Sequence, residues 1–237
     1  MLPDLPPQPL FLADAITTLS ETVADRAEAA VLCARTEGRS IDRLAIFDAN
    51  LPSTERRFYL LDLTGDYPVL VLQDWVSHGV GSDPSRTGTP QQFSNTPNSH
   101  MTSLGLYTVA ERYHGKNGFS WRLDGLTDDF NTQARNRAVV MHPARYVGPW
   151  QFGRSEGCPA VRQEVADRIH ELGTDNLYLW IDGEGRGLEQ SSSLACGQAQ
   201  TWLAQRAERR DDLARIHYLA DMWKWEDSVR SSMLAWA

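Results

Sequence analysis

Cysteine is scarce: the 237 residues hold three, Cys33, Cys158 and Cys196. That is too few for a disulfide-built scaffold, and the odd number leaves one free even if the others pair. No two form a CxxC pair, so a structural zinc site is not expected. Long apolar runs are missing as well; nothing nears the ~20 consecutive apolar residues of a membrane-spanning helix. Positive charge is short, with 23 Lys and Arg against 31 Asp and Glu and a formal net charge of −8. That balance argues against a nucleic-acid binder, and gives no long-range attraction toward an anionic polymer such as a cell wall. Binding there would need a specific cleft. No HExxH, P-loop or GxGxxG string occurs, so those metal and nucleotide chemistries have no motif. No Lys or Arg precedes the apolar patch at residues 9–13, and Asp4 does. A signal peptide is therefore not read: the chain is either cytosolic or a mature form whose export signal was removed.

What is present is globular in composition, 41% hydrophobic and 23% charged, enough for one domain with a substantial core. The chain divides into residues 1–40, 41–185 and 186–237. The first twelve residues carry Pro3, Pro6, Pro7 and Pro9 and read as an extended arm, either flexible or packed along the body. From Asp14 to about Thr36, Ile16, Leu19, Val23, Ala27, Ala30 and Val31 recur at helical spacing, predicting one docked amphipathic helix that ends at Gly38. Short apolar runs dominate residues 41–182: 44–47, 57–61, 69–72, 104–109, 119–123, 138–142 and 177–181. Thr64-Gly65-Asp66 marks a hairpin. The Ser/Thr/Pro/Gly/Asn stretch from Gly79 to Thr102 is long enough to read as functional or mobile. One helix, with Val161, Val165, Ile169 and Leu172 on a stripe, is expected between Pro159 and Gly173. The fold class is thus mainly β, with helices added at both ends. Residues 186–237 read as a helical pair, one helix from Ser191 onward and one over 211–225. They hold Trp202, Trp223, Trp225 and Trp236, and either pack on the β-domain or line one side of a cleft.

The most informative string is Gly153-Arg154-Ser155-Glu156-Gly157-Cys158-Pro159-Ala160. Cys158 follows a glycine turn and precedes an expected helix with Pro159 at its first position. A thiol there would feel the positive end of the helix dipole, which favours thiolate. The same N–H groups could hold an oxyanion, and Gly157 lets the backbone approach a substrate. A nucleophile needs a base, and His142 closes the run Ala138–Met141, sixteen residues earlier. The combination points to a Cys/His acyl-transfer site.

Around these residues the sequence resembles the YkuD-type murein L,D-transpeptidase catalytic domain. The shared core is a strand-end His142 followed by Ser155-x-Gly157-Cys158. Further strings of that branch are Leu51-Pro52-Ser53-Thr54-Glu55, Ser77-His78-Gly79, Phe93-Ser94-Asn95 and Thr102 to Tyr107. They continue through Tyr113-His114-Gly115-Lys116-Asn117-Gly118, Arg122 to Leu126, Phe130-Asn131, Arg137 to His142 and Tyr146-Val147. The resemblance covers roughly residues 44–181. It implies a β-sandwich-like fold, Cys158 as nucleophile, His142 as general base, Ser155 orienting the histidine or the turn, and Gly157 and Cys158 N–H groups as oxyanion hole. It implies no metal or organic cofactor. Its partners would be peptidoglycan stem peptides as donor and acceptor, met by a monomer in the periplasm. The thiolate would attack an L carbonyl, expel the following D-residue, and pass the acyl group to a side-chain amine.

Two positions depart from the pattern. Glu156 stands where many members have His, as a partner of the site or a solvated charge. Pro159-Ala160 replaces an aliphatic–Arg pair whose Arg could bind a donor carboxylate. Arg122, Arg137 or Arg154 could take that part, or serve as structural ion pairs. His78, Ser103 and Tyr107 are further substrate-contact candidates; His100 and His114 receive no role. Loss of the charged pair favours, narrowly, a donor at stem position one (L-Ala, giving 1-3 cross-links) over position three (3-3). A hydrolase on the same scaffold, an L,D-carboxypeptidase or an amidase, is the alternative, since water can replace the amine. A wall-binding module would lack Cys158 or His142. Cys33 and Cys196 either remain two buried thiols, the plainer outcome, or pair in an oxidising compartment, which needs Cα atoms within ~7 Å.

Overall fold

A computed structural model describes residues 10–150, 153–184, 187–209 and 211. The apolar runs become strands, and their burial explains their composition. β1 (Arg43–Asp48) and β9 (Leu177–Asp182) pair in parallel. Both are apolar without alternation, because sheet neighbours flank them and their side chains are buried on both faces. β2 (Phe58–Asp62) and β3 (Val69–Asp74) extend the sheet from β1 as the expected hairpin. On the other side β9 pairs with β5 (Gly105–Gly115), β5 with β6 (Gly118–Gly125) and β6 with β7 (Val140–Pro143), all antiparallel. β7 then pairs in parallel with β8 (Ala160–Val161), and β8 antiparallel with β4 (Val76–Ser77).

The nine-strand order is β3-β2-β1-β9-β5-β6-β7-β8-β4. Its two outer strands are separated in sequence by Trp75 alone. The edges must therefore meet, and the twisted sheet curls until it is nearly closed. Trp75 pins that corner: its indole N–H donates to the Thr54 carbonyl at 2.9 Å, and Arg56 and Arg162 stack on its ring. The mainly-β expectation holds, as one rolled mixed sheet.

The expected single N-terminal helix is two, α1 (Leu12–Ala15) and α2 (Glu21–Thr36). Ser20 interrupts it, its hydroxyl accepting from the Val23 N–H at 3.3 Å as an N-cap. α2 is alanine-rich and buried almost all round, as fits a helix lying close against other elements. The arm, where described, is packed: the buried Glu28 carboxylate accepts N–H groups of Leu10, Phe11 and Leu12. Cys33 and Cys196 are disulfide-bonded, with Cα atoms 5.6 Å apart. The bond ties α2 to the segment preceding a helical stretch at 197–209, as does an ion pair from Arg206 to Asp25 at 2.8 Å. Most buried apolar residues from Leu12 to Trp202 form one continuous core, and Ala144, Val147 and Ala160 form a small second cluster. The second helix expected over 211–225, apart from Asp211, and Trp223, Trp225 and Trp236 lie outside the described residues. Among those described, no helix is long and apolar enough to cross a membrane.

The stretch from Gly79 to Thr102 is irregular apart from a short 3-10 turn at Val80–Ser82. Asp83 organises it: its carboxylate accepts from the N–H groups of Thr87 and Gly88, at 2.9 and 2.6 Å, and from the Gln91 amide at 3.2 Å. One buried carboxylate thereby satisfies several loop donors that no strand partner serves.

Candidate active site

Parallel pairing of β7 with β8 builds the site. The register sets His142 opposite Ala160. The His142 N–H points to the Pro159 carbonyl at 3.4 Å, and the Cys158 sulfur receives the Val140 N–H, also at 3.4 Å. Strand-end histidine and cysteine thus open onto one cleft of about 310 Å³, shared with Tyr113, Lys116, Tyr146 and Arg154.

The cysteine loop is held from below. Gly79 and Ser155 form a parallel bridge, the Ser155 N–H donates to the His78 carbonyl at 3.2 Å, and Val80 N–H to the Ser155 carbonyl at 2.7 Å. Gly157 has φ +111°, and a Cβ there would stand 2.7 Å from the Met101 carbonyl oxygen. Glycine is required on both counts. The Ser155 hydroxyl donates to the Cys158 carbonyl at 2.6 Å and accepts the Gly157 N–H at 3.3 Å. Of its two expected duties, orienting the histidine or the turn, the contacts are those of the turn. The Gly157 N–H is thereby engaged, whereas the Cys158 N–H has no hydrogen-bond partner among the described residues.

The expected helix start at Pro159 is corrected. Ala160 and Val161 are strand, and α3 (Gln163–Leu172) begins only beyond Arg162. Proline's fixed φ suits either role, and the ladder to β7 and β4 decides between them. Cys158 therefore has no helix dipole to draw on. Burial pushes its thiol pKa above the ordinary value; the Val140 N–H and the nearby Arg137 cation pull it down, and Glu156 pushes it up. Glu156 is itself in contact with His100.

His142 is oriented by its neighbour. Its Nδ1 lies 3.0 Å from the Pro143 carbonyl oxygen. A carbonyl only accepts, so Nδ1 carries the proton and the neutral ring keeps the lone pair on Nε2.

The other candidates separate by burial. Arg154 lines the cleft, its backbone N–H fixed to the Ser77 hydroxyl at 3.1 Å. Arg137 is half-buried and spends its guanidinium on the Ser94 and Met101 carbonyls and on the hydroxyls of Ser99 and Ser103. Arg122 pairs with Glu111 at 3.1 Å and lies over the Tyr113 ring. His78, Ser103 and Tyr107 are buried and do not line the cleft, unlike their expected placement. His78 Nδ1 accepts from buried Arg57 at 2.7 Å, and burial together with that cation lowers its pKa to about 3. The Tyr107 hydroxyl bonds Ser103, and burial raises its pKa. These three support the Cys158 loop and the Arg137 bed. Residues 187–209 contribute nothing to the cleft.

Sequence reasoning gave no part to Tyr146, Lys116 or Asn117, which line the cleft. Lys116 and Asn117 form the tight β5–β6 turn between Gly115 and Gly118, so the Gly-Lys-Asn-Gly string carried a turn signal. Its proximity to His142 is a tertiary fact. Among the described residues no cluster of His, Cys, Asp and Glu could hold a metal ion.

A family model described as L,D-transpeptidase catalytic domain matches residues 15–181. Among curated proteins no relative matches. Similar solved structures include an L,D-transpeptidase from Mycobacterium smegmatis, 13% identical with a TM-score of 0.38, covering 60% of this chain and 59% of that one. Another is Bd1075 of Bdellovibrio bacteriovorus, 13% identical with a TM-score of 0.40, covering 76% and 57%. A third is an L,D-transpeptidase from Stackebrandtia nassauensis, 10% identical with a TM-score of 0.38, covering 74% and 76%. The chain thus spans less than two thirds of the length of the first two.

Proposed function

The chain belongs to the L,D-transpeptidase catalytic domain family, and on that premise we propose that it joins peptidoglycan stem peptides through a Cys158 thioester. The observation that carries this reading is the β7–β8 register, which puts Cys158 and an oriented His142 on one cleft.

The steps follow from the protonation states. The raised thiol pKa keeps Cys158 protonated at rest, so deprotonation accompanies attack. His142 Nε2 takes the thiol proton as sulfur bonds to an L-centre carbonyl carbon. The Cys158 N–H is available to the oxyanion that forms. The C–N bond to the D-residue then breaks, and the imidazolium returns the proton to the departing amine. A side-chain amine of a second stem attacks the thioester, gives a proton to His142, and leaves the amide cross-link and the free thiol. Arg137 supports the developing thiolate charge from one side.

The position-one donor remains our choice. Ala160, where a charged donor contact might be sought, is fully buried in the ladder and offers no charge. The disulfide favours an oxidising, extracytoplasmic workplace. Incubation of the protein with purified stem peptides, followed by tandem mass spectrometry, tests the reading. Dimers joined from L-Ala to diaminopimelate are expected. Dimers joined between two diaminopimelates would reverse the donor position alone, and release of the D-residue without dimers would make the protein a hydrolase.

A further inference from the structure

Beside the catalytic cleft lies a larger groove of about 760 Å³. Lys116, Asn117 and Tyr146 belong to the walls of both, so the two are contiguous. The groove carries positive charge on a chain whose formal net charge is −8. Its cations are Lys116, Arg145 and Arg162, and its one acid is Glu164. Arg162 is already committed, in a two-pronged pair with Asp74 at 2.7 Å and near Glu164 at 3.9 Å. Lys116 and Arg145 are exposed and have no ion pair among the described residues. Gln163 and Glu164, the first turn of ten-residue α3, line the groove, and the N-cap Arg162 makes no side-chain capping bond. The leading N–H groups of a helix carry partial positive charge, which Glu164 in the same turn offsets, so the charge of the groove rests on Lys116 and Arg145.

We infer that this groove is a carboxylate-binding subsite, in which Lys116 and Arg145 hold an acidic group of the peptide whose L carbonyl lies at Cys158. The inference rests on the transpeptidase reading for its ligand. A stem peptide suits it chemically: the D-Glu residue, joined through its side chain, keeps a free carboxylate, and diaminopimelate carries another. Tyr146 is part of the wall shared by the two spaces, and burial raises its pKa to about 12. It therefore stays neutral and adds no repulsion to a bound carboxylate.

The test is a calorimetric titration of the Cys158→Ala protein with the stem tripeptide L-Ala–D-Glu–diaminopimelate and with the same peptide amidated at its free carboxylates. The acidic peptide should bind at least tenfold tighter than the amidated one. The additional change Lys116→Gln with Arg145→Gln should weaken the acidic peptide until that difference is gone. Both side chains are exposed, and an unchanged thermal midpoint verifies folding. Equal binding of the two peptides, retention of the preference in the doubly neutralised protein, or binding of neither peptide overturns the subsite. Turnover of the unsubstituted protein is scored separately. A preference for the acidic peptide without cross-linking or hydrolysis would keep the subsite and discard the reaction.

Discussion

His142 has one ring nitrogen committed to the Pro143 carbonyl, so its other nitrogen has a single chemical part to play. Replacing it by Ala should cut turnover by about 10²–10⁴-fold, the range for a lost general base, with the fold intact by circular dichroism. Wild-type rates in His142→Ala would remove it from the mechanism. Glu156 makes a subtler case. Its negative charge raises the Cys158 pKa, and its carboxylate is exposed. Glu156→Gln removes that push, so less hydroxide is needed to form thiolate. The pH profile of Cys158 alkylation by iodoacetamide should move to lower pH; an upward or absent shift contradicts the electrostatic account. Cys158 and His142 were legible in the sequence because glycine turn, nucleophile and strand end sit close along the chain. His78, Ser103 and Tyr107 were not: Arg57 engages His78 and Arg137 engages Ser103 from distant parts of the sequence, and the Tyr107 hydroxyl turns into the core toward Ser103. A polar residue in a recognisable string does not declare which way it faces.

At the scale of elements, two residues of β8 do more for the site than any helix. Ala160 and Val161 lock the cysteine loop between β7 and β4. A backbone necessity of the loop is Gly157. Gly157→Ala must carry a Cβ at φ +111° and 2.7 Å from the Met101 oxygen, a strain of about 1–3 kcal/mol. A lower thermal midpoint together with loss of turnover is expected; a variant with unchanged midpoint and turnover would show that the loop relaxes freely. Strands read well from sequence because short unbroken apolar runs such as 44–47 and 177–181, too short for a helix, fit a doubly covered sheet. The helix start after Cys158 misread because Pro159 followed by small and branched residues fits a first helical turn and an entry into strand equally. Long-range pairing with β4, some eighty residues earlier, chooses between them.

For the molecule as a whole, the described parts of the two ends are tied to each other by a disulfide and line no part of the cleft. The disulfide spans 163 residues of sequence. Cys33→Ser with Cys196→Ser should cost about 2–5 kcal/mol in denaturant unfolding. Activity of the remaining folded fraction should persist, because residues 187–209 line no part of the cleft. Loss of activity in fully folded double variant would instead tie the extension to the site. The rolled sheet and added helices were readable as a class from the run of short apolar segments, whereas the closure through Trp75 follows from strand order, which local pattern does not encode. The most direct test of the central claim, acyl transfer through Cys158, is intact-protein mass spectrometry after brief mixing with a donor stem peptide and no acceptor. The account predicts one adduct, on Cys158, with the mass of the donor less its expelled D-residue portion, discharged on adding an amine acceptor. An adduct on another residue, or product formation by Cys158→Ala, would contradict it.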